Sequence, residues 1–417
     1  MILMRKIANR YISLYILLIP IFRYYDLPCG SNVYFLLLNI CALIFFVSEP
    51  HRYFNSISKI TIIFLIWILF TTAFAYMFSP YGIYIQSTSI NNLIIFEDCA
   101  IILLIVSACK SFDYDYFVKA YKWISLCIIF YLLYQFYNFF ILGRNVEHLF
   151  SFFKLNIEGT TTDSIRTYSG GYGRFSSVFR EPSHLSQYLT PLVVFYLYGY
   201  KGVIKKNVRY ALLVSACMIF SISGTGIAIN IIVWFIFLVR NCRNISIRKL
   251  PILIFYLFVG ICLCIVALGS VGISTMISEM SDSNDNKTLD RVSRGFLIFE
   301  ELPVDKQIIG IGYQCVSAAT KVYGLKYGNI IANGHNEYLS DVTSILVTGG
   351  LLGFIYVIYI LMKIVRFRSE PLLLMSLAVV GILCSEATLG TLTLFYILMI
   401  LSYSRIYRSK CHIKNIS

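Results

Sequence analysis

The sequence has 417 residues, 58% apolar, 16% aromatic and only 13% charged, with a mean hydropathy of +0.74. Soluble domains carry roughly a quarter charged residues, so this composition excludes a cytosolic enzyme, a secreted module and a disordered tail and points to a membrane protein. The net charge of +14 would suggest a nucleic-acid partner in a soluble protein, but here it reads as the cation excess of cytoplasmic loops.

Crossing the hydrocarbon of a bilayer takes roughly 20 apolar residues. Such runs fall near 11–28, 33–48, 60–78, 91–109, 123–142, 184–200, 250–273, 342–365, 371–385 and 388–404. The start, Met1 to Lys6, has the charge of a signal peptide, yet no small-residue cleavage site follows, so 11–28 reads as the first span. Glu97 and Asp98 interrupt the fourth run; adjacent residues point about 100° apart on a helix, so one site does not take both. Between Arg209 and Arg240 lie 30 largely uncharged residues broken at Ser221-Ile222-Ser223-Gly224-Thr225-Gly226, either one tilted helix or a hairpin.

Charge chooses between them. With a hairpin, the segments 5–10, 49–59, 110–122, 201–209, 240–249, 363–370 and 405–414 share one side and hold 23 of the 35 cations against 4 of the 21 acids. A single crossing would split the basic clusters between the two faces. The positive-inside rule therefore favours twelve spans with both termini cytoplasmic. The expected fold is an all-α polytopic membrane protein, one membrane domain over 1–417, with two large outer loops at 144–183 and 274–341.

Of twelve cysteines, Cys41, Cys99, Cys109, Cys127, Cys217, Cys262 and Cys264 sit in apolar runs without CxxC spacing and read as packing residues. Only Cys29 and Cys315 fall on the outer side, enough for one disulfide at most. No zinc-type cluster or acidic calcium loop is visible, so neither metal nor cofactor is expected. Carriers commonly show repeated halves; no internal repeat is found here, and the polar mass lies in the outer loops. Chemistry is therefore expected outside, on a substrate already activated and delivered through the membrane, as a lipid-linked one would be.

The first loop ends in Gly173-Arg174-Phe175-Ser176-Ser177-Val178-Phe179-Arg180-Glu181-Pro182-Ser183-His184. Pro182 with Glu181 and Ser183 fits an ordinary helix start, while Arg174 and Arg180 carry the guanidinium forks that hold phosphate oxygens. In the second loop Asp290-Arg291-Val292-Ser293-Arg294 opens an amphipathic stretch leading to Ile309-Gly310-Ile311-Gly312-Tyr313. Arg291 and Arg294, at i and i+3, share a helix face and suit either an anion or an internal ion pair with Asp290 or Glu301. Two glycines without strand-helix context make no nucleotide cradle. The loop closes on Gly334-His335-Asn336-Glu337-Tyr338-Leu339, where His335 is either a capping residue or a general base. Loop tyrosines Tyr168, Tyr172, Tyr313 and Tyr323 suit stacking on sugars.

Taken together, Arg174 to Ser183, Ser221 to Gly226, Arg291 ahead of Gly310-Ile311-Gly312-Tyr313, and His335 to Leu339 before a glycine-rich span resemble the O-antigen polymerase and ligase superfamily, most closely the Wzy-type repeat-unit polymerases. The resemblance covers 170–355 by motif and the whole chain by span layout. It implies a GT-C-like polymerase/ligase architecture in a bacterial inner membrane, and a glycosyltransferase joining undecaprenyl-pyrophosphate-linked oligosaccharides into O-antigen or capsular polysaccharide without a cofactor. It further implies His335, Arg291 and Glu181 as catalytic residues, with Arg180, Arg174, Arg294, Asn336 and Tyr338 binding pyrophosphate or glycan. Membrane lipid, a polysaccharide chain-length regulator and a flippase are the implied partners; nucleic acid is not. Gly224 stands where relatives often carry a basic residue, so Arg174 or Arg180 supplies that charge. A ligase of the same fold and a lipid-linked oligosaccharide flippase are the alternative readings.

Overall fold

The computed structural model describes residues 2–22, 25–26, 56–80, 82–84, 112–144, 146, 154–155, 165–167, 173–179, 182–200, 203–221, 224–242, 287–313, 315–326, 339, 341–365, 396 and 399. In chain order they form α1 (Ile2–Phe22), β1 (Tyr25–Asp26), α2 (Ser56–Phe78), a 3-10 turn (Gly82–Tyr84), α3 (Tyr114–Phe140), β2 (Lys154–Leu155), β3 (Ile165–Thr167), β4 (Gly173–Phe175), α4 (Pro182–Tyr198), α5 (Val208–Phe220), α6 (Gly224–Cys242), α7 (Lys287–Glu301), α8 (Val304–Ile309), α9 (Val316–Tyr323) and α10 (Asp341–Val365). The described chain is mostly helical, in keeping with an all-α class. Its strands, of two or three residues, form two small antiparallel pairs, β1 with β2 and β3 with β4. The expected spans 33–48, 91–109, 250–273 and 371–385 lie outside the described residues, as do Glu97 and Asp98; of 388–404 only Tyr396 and Met399 are described.

Among the described residues one helix, α3, is long and apolar enough to cross a membrane. Asp113 caps it by accepting the Tyr116 N–H at 2.9 Å, and Asp115 sits in its positive first turn. It ends where Gly143 takes φ +61° and the Arg144 N–H closes on the Asn138 carbonyl at 3.0 Å. Only a third of its apolar stretch is buried. Trp123, Phe130, Tyr134, Tyr137 and Phe140 face outward, an apolar surface that water does not tolerate and lipid does.

The buried apolar residues form two clusters. The first joins α1, α3, α4, α5 and α6, with α4 at its centre: fifteen of its seventeen residues are buried, and a helix surrounded by protein is apolar on all sides. Pro191 interrupts α4, and the lost hydrogen bonds are made good from outside. The proline has no N–H for the Gln187 carbonyl, which accepts instead from the Tyr396 hydroxyl. One residue on, the Tyr121 hydroxyl of α3 is inserted into the ladder, donating to the Tyr188 carbonyl at 2.7 Å and accepting from the Leu192 N–H at 3.0 Å. Tyr188 in turn donates to the Leu17 carbonyl of α1 at 3.0 Å.

Directions follow from these contacts. Arg10 of α1 lies over the Tyr116 ring in the first turn of α3, and further along both helices Leu17 and Tyr121 meet the same Tyr188, so those two run the same way. Tyr121 meets Leu192 while Gln135 meets Ser177, so α4 runs against α3. Asn207 caps α5 by accepting from the N–H groups of Arg209 and Tyr210. Trp234 donates to Ser215 at 3.0 Å and Asn230 reaches the Met218 sulfur at 3.8 Å, pairings that advance along α6 as they retreat along α5. Residues 208–242 are therefore an antiparallel hairpin rather than one long helix.

The second cluster joins α2, α7, α9, α10 and Leu339, with α8 packed along α10.

If the Tyr121 hydroxyl completes the broken ladder of α4, Tyr121→Phe lowers stability by about 1–3 kcal/mol. In a Pro191→Ala background, where the helix closes on itself, the same substitution costs less than half of that. Thermal unfolding of the four purified proteins in detergent measures the cycle; equal costs in both backgrounds would refute the wedge.

Candidate functional site

The site begins with a break in α10. Gly350 has φ +65° and ψ −172° in mid-helix, which frees the carbonyls before it. Each of three finds a donor from another element. Val347 and Thr348 accept from the backbone N–H groups of Ile311 and Gly312, both at 3.1 Å, and Gly349 accepts from Trp67 Nε1 of α2 at 3.2 Å. The approach requires glycine on both sides. Gly310 and Gly312 have φ +93° and +91°; a Cβ on Gly310 would collide with the Thr348 carbonyl, and one on Gly350 with the Ile308 carbonyl. Tyr313 completes the seam, its N–H donating at 2.9 Å to Thr72 Oγ1, which itself donates to the Ile68 carbonyl at 2.7 Å. The amides of this Gly-Ile-Gly segment thus serve the helix.

The seam fixes α7 along α10. Gly295 abuts Thr343 so closely that any Cβ would strike its side chain, and Ile298 and Leu302 continue the buried edge toward Val347. The chain passes from Gly295 against Thr343 to Gly310 against Thr348, so it runs along α10 in the same direction. Arg291, one turn before Gly295, therefore occupies the end of α7 beside the start of α10. Arg294 is half-buried on the same helix, which carries the amphipathic stretch expected over Gly295 to Glu301 and begins earlier, at Lys287. Leu339, buried in this cluster, marks where the chain enters α10. His335, Asn336 and Tyr338 lie outside the described residues.

The first loop is anchored to α3. Phe175 is fully buried, its ring centroid 4.4, 5.4 and 5.7 Å from those of Phe136, Phe139 and Phe140. The turn Ser176 to Phe179 is buried as well. Ser177 has φ +53°, a costly conformation for serine held by three bonds: its N–H to Gln135 Oε1 at 3.0 Å, its carbonyl from Gln135 Nε2 at 3.3 Å, and its hydroxyl to the Ile128 carbonyl at 2.9 Å. Tyr25 donates to the Val178 carbonyl at 3.3 Å. Arg174 lies on β4 opposite Arg166 of β3. Arg180 and Glu181 fall outside the described residues, between buried Phe179 and buried Pro182, the first residue of α4. His184 is buried in the first turn of that helix.

Tyr313 is corrected as a sugar-stacking candidate: it is buried, packed beside the α2 seam with no ring face to offer. Tyr323 is partly open, and burial together with the nearby Asp305 carboxylate raises its pKa. Tyr168 and Tyr172 lie outside the described residues. Cys315 is a buried thiol donating to the Tyr313 carbonyl at 3.3 Å. No group of three or more His, Cys, Asp or Glu gathers among the described residues. Trp67, Thr72 and Gln135 escaped the sequence reading, because a lone polar atom in an apolar run looks like core until its partner is known. The sequence matches no protein-family model and no curated protein.

Gly310→Ala and Gly350→Ala are each expected to cost more than about 2 kcal/mol, adding left-handed strain to a backbone collision. Gly349→Ala, whose Cβ would meet only the tip of Ile68 at 3.1 Å, should be mild. Thermal midpoints of the purified variants decide; a Gly310→Ala protein as stable as Gly349→Ala would show that the seam is not tight.

Proposed function

We propose that this chain is a polytopic membrane glycosyltransferase of the repeat-unit polymerase kind, joining undecaprenyl-pyrophosphate-linked oligosaccharides on the outer face of a bacterial cytoplasmic membrane. The observation that carries the reading is the packing of α7 along α10. It puts Arg291 at the end where α10 begins, and His335 is four residues from Leu339 in the same cluster. In this reading a cation and a titratable base attend one outer mouth, in the order the motif resemblance leads one to expect.

Twelve spans and a GT-C-like architecture belong to this reading. In support, α1, α3 and α5 run one way and α4 and α6 the other, as strict alternation requires. α2 and α10 are likewise opposed, since Trp67 lies near Gly353 and Ala75 near Gly312. The outward apolar face of α3 suits lipid.

In the reaction, an acceptor sugar hydroxyl attacks the anomeric carbon of the lipid-linked donor. The new glycosidic bond forms as the bond from that carbon to the pyrophosphate oxygen breaks, and the carrier leaves as undecaprenyl pyrophosphate. The hydroxyl proton goes to His335 or Glu181. Arg291, with Arg180 or Arg174, neutralises the charge developing on the leaving group, and fixed cations aimed at developing charge are the strongest such aid. Arg294, Asn336 and Tyr338 hold the glycan and pyrophosphate. Chain-length control by a separate regulator and substrate supply by a flippase complete the proposal.

Two tests follow. Arg144→Cys should react with an impermeant maleimide in intact cells and Lys205→Cys only after permeabilisation; reaction of both from outside would overturn the span assignment. A gene-deletion strain should accumulate carriers bearing a single repeat. Wild type should restore long polymer, whereas His335→Ala and Arg291→Ala at matched membrane levels should lower polymerisation by about 100- to 10,000-fold, the range for losing an acid–base group or a fixed charge. Full-length polymer stranded on the carrier would mean a ligase, and single repeats trapped inside a flippase; either result removes the polymerase.

A further inference from the structure

Lys306 stands on α8 with its backbone held on both sides, its N–H donating to the Pro303 carbonyl at 2.8 Å and its carbonyl accepting from the Gly310 N–H at 2.7 Å. Gln307 fastens the same turn to the end of α7, its Nε2 donating to the Phe299 and Glu300 carbonyls at 3.1 and 3.2 Å. The Lys306 side chain is only 14% exposed, and its Nζ lies 5.7 Å from the centre of the Phe74 ring of α2. Its ion-pair partner among the described residues is Asp305, at 3.5 Å, whose own side chain is 63% exposed. An ammonium has three N–H donors, and one carboxylate oxygen at that distance takes at most one. A mostly covered cation thus keeps donors to spare beside a carboxylate that is open. Phe74 belongs to an outward stripe of α2 in which Ile63, Ile66 and Phe70 are exposed as well. From Ile63 to Phe74 that stripe measures about 16 Å, close to one leaflet of a hydrocarbon core roughly 30 Å thick.

An exposed apolar track one leaflet long, ending at a cation and a carboxylate, has the layout of a phospholipid: chain, then phosphate, then terminal group. Charge selects which phospholipid. A purely anionic headgroup would suit Lys306 but be opposed by Asp305, and a quaternary ammonium has no N–H for the carboxylate. A headgroup that carries both a phosphate and a primary ammonium meets each with the opposite charge and a hydrogen bond, the stronger kind of polar contact. We propose that the corner of α8 beside Phe74 seats a phosphatidylethanolamine-type lipid, whose phosphate oxygens accept from Lys306, whose ammonium donates to Asp305, and whose acyl chain lies along Phe74, Phe70, Ile66 and Ile63. A lipid held in this way touches α2 and α8 at once and ties the second cluster to the bilayer. The inference goes beyond the glycosyl-transfer reading and rests on it only for the placement of α2 and α10 across a membrane.

The test uses the full chain in detergent, stripped of co-purified lipid and titrated with phosphatidylethanolamine, its N,N-dimethyl analogue, phosphatidylcholine and phosphatidylglycerol, all with the same acyl chains. Native mass spectrometry counts the lipid retained, and thermal midpoints follow its effect. Wild type should prefer phosphatidylethanolamine to phosphatidylcholine by about tenfold or more, the effect of losing a hydrogen bond to a charged group. The dimethyl analogue, with one N–H left, should fall between. Asp305→Asn should lose most of this preference, whereas Lys306→Gln should weaken all the phospholipids by about tenfold. Lys321→Gln, whose ammonium lies over the Tyr84 ring at 5.8 Å, is the control and should leave every affinity unchanged. Without lipid, Lys306→Gln should melt close to wild type, since a pair with an open carboxylate contributes little; with phosphatidylethanolamine, wild type should gain in midpoint and the variant should not. A Lys306→Gln protein that is less stable alone yet keeps its lipid-induced gain would make Lys306 purely structural and overturn the seat. So would equal binding of phosphatidylethanolamine and phosphatidylcholine by wild type, tighter binding of phosphatidylglycerol, or a loss in Lys321→Gln as large as in Lys306→Gln. Displacement of phosphatidylethanolamine by equimolar undecaprenyl pyrophosphate would assign the corner to the carrier instead. A selective seat in a protein whose deletion leaves polymer length unchanged would keep this inference and remove the polymerase reading; unselective binding in a protein whose deletion abolishes long polymer would do the reverse.

Discussion

Ile311 and Gly312 donating to Val347 and Thr348 is the contact on which the second cluster rests. A helix among apolar side chains has no water for a carbonyl that loses its partner, and an unpaired buried group costs about 1–3 kcal/mol. Breaking α10 at Gly350 would therefore be prohibitive unless donors were delivered to the break. The sequence delivers them from the long connection and from α2. Because those donors are backbone amides flanked by glycine, the fit leaves little freedom: α7, α8 and α10 take one relative position, and the arginines of α7 take it with them.

The same constraint recurs in the first cluster with different chemistry. Pro191 opens α4, and a tyrosine hydroxyl, at once donor and acceptor, fills the opening between Tyr188 and Leu192. Ser177 adopts a left-handed turn, and a single glutamine amide satisfies both its N–H and its carbonyl. Irregular backbone at membrane depth persists only where protein or a cavity supplies partners. In each of these places the partner comes from a different element, so the departure from regular backbone also ties two parts of the chain together. The irregular segments are in this way what fixes the bundle, since apolar contact between helices in lipid has little direction of its own.

How far this was legible in the sequence depends on which residues carried the signal. Apolar runs of span length predicted α2, α4 and α10 within a few residues, because length and hydropathy are local properties, whereas α3 starts at Tyr114, well before the run at 123–142, on a capped and more polar first part. The hairpin of α5 and α6 followed from charge bookkeeping over distant loops rather than from Ser221 to Gly226 themselves, whose composition fits a kink equally well. The start of α4 was correctly ambiguous: Pro182 does open a helix, whatever Glu181 does beside it. Invisible in advance were the partners. Nothing local to Trp67, Thr72, Tyr121 or Gln135 says that each will meet a broken backbone far along the chain, and three-residue strands such as β3 and β4 fall below any periodicity. The glycines of 310–312 were seen but read only for what they are not.

That distribution of anchors bears on how firmly the two long connections hold their charged residues. A loop that must present a cation to a developing charge gains by having no reorganisation left to do. Here each long connection is fastened within a few residues of charged positions. Arg174 adjoins Phe175, which is buried on α3, and Arg291 precedes by one turn the glycine locked on Thr343. The free length between anchor and charge is then about one residue in the first case and one helical turn in the second. Such short tethers restrict each arginine backbone to a small volume, set by packing rather than by its own charge.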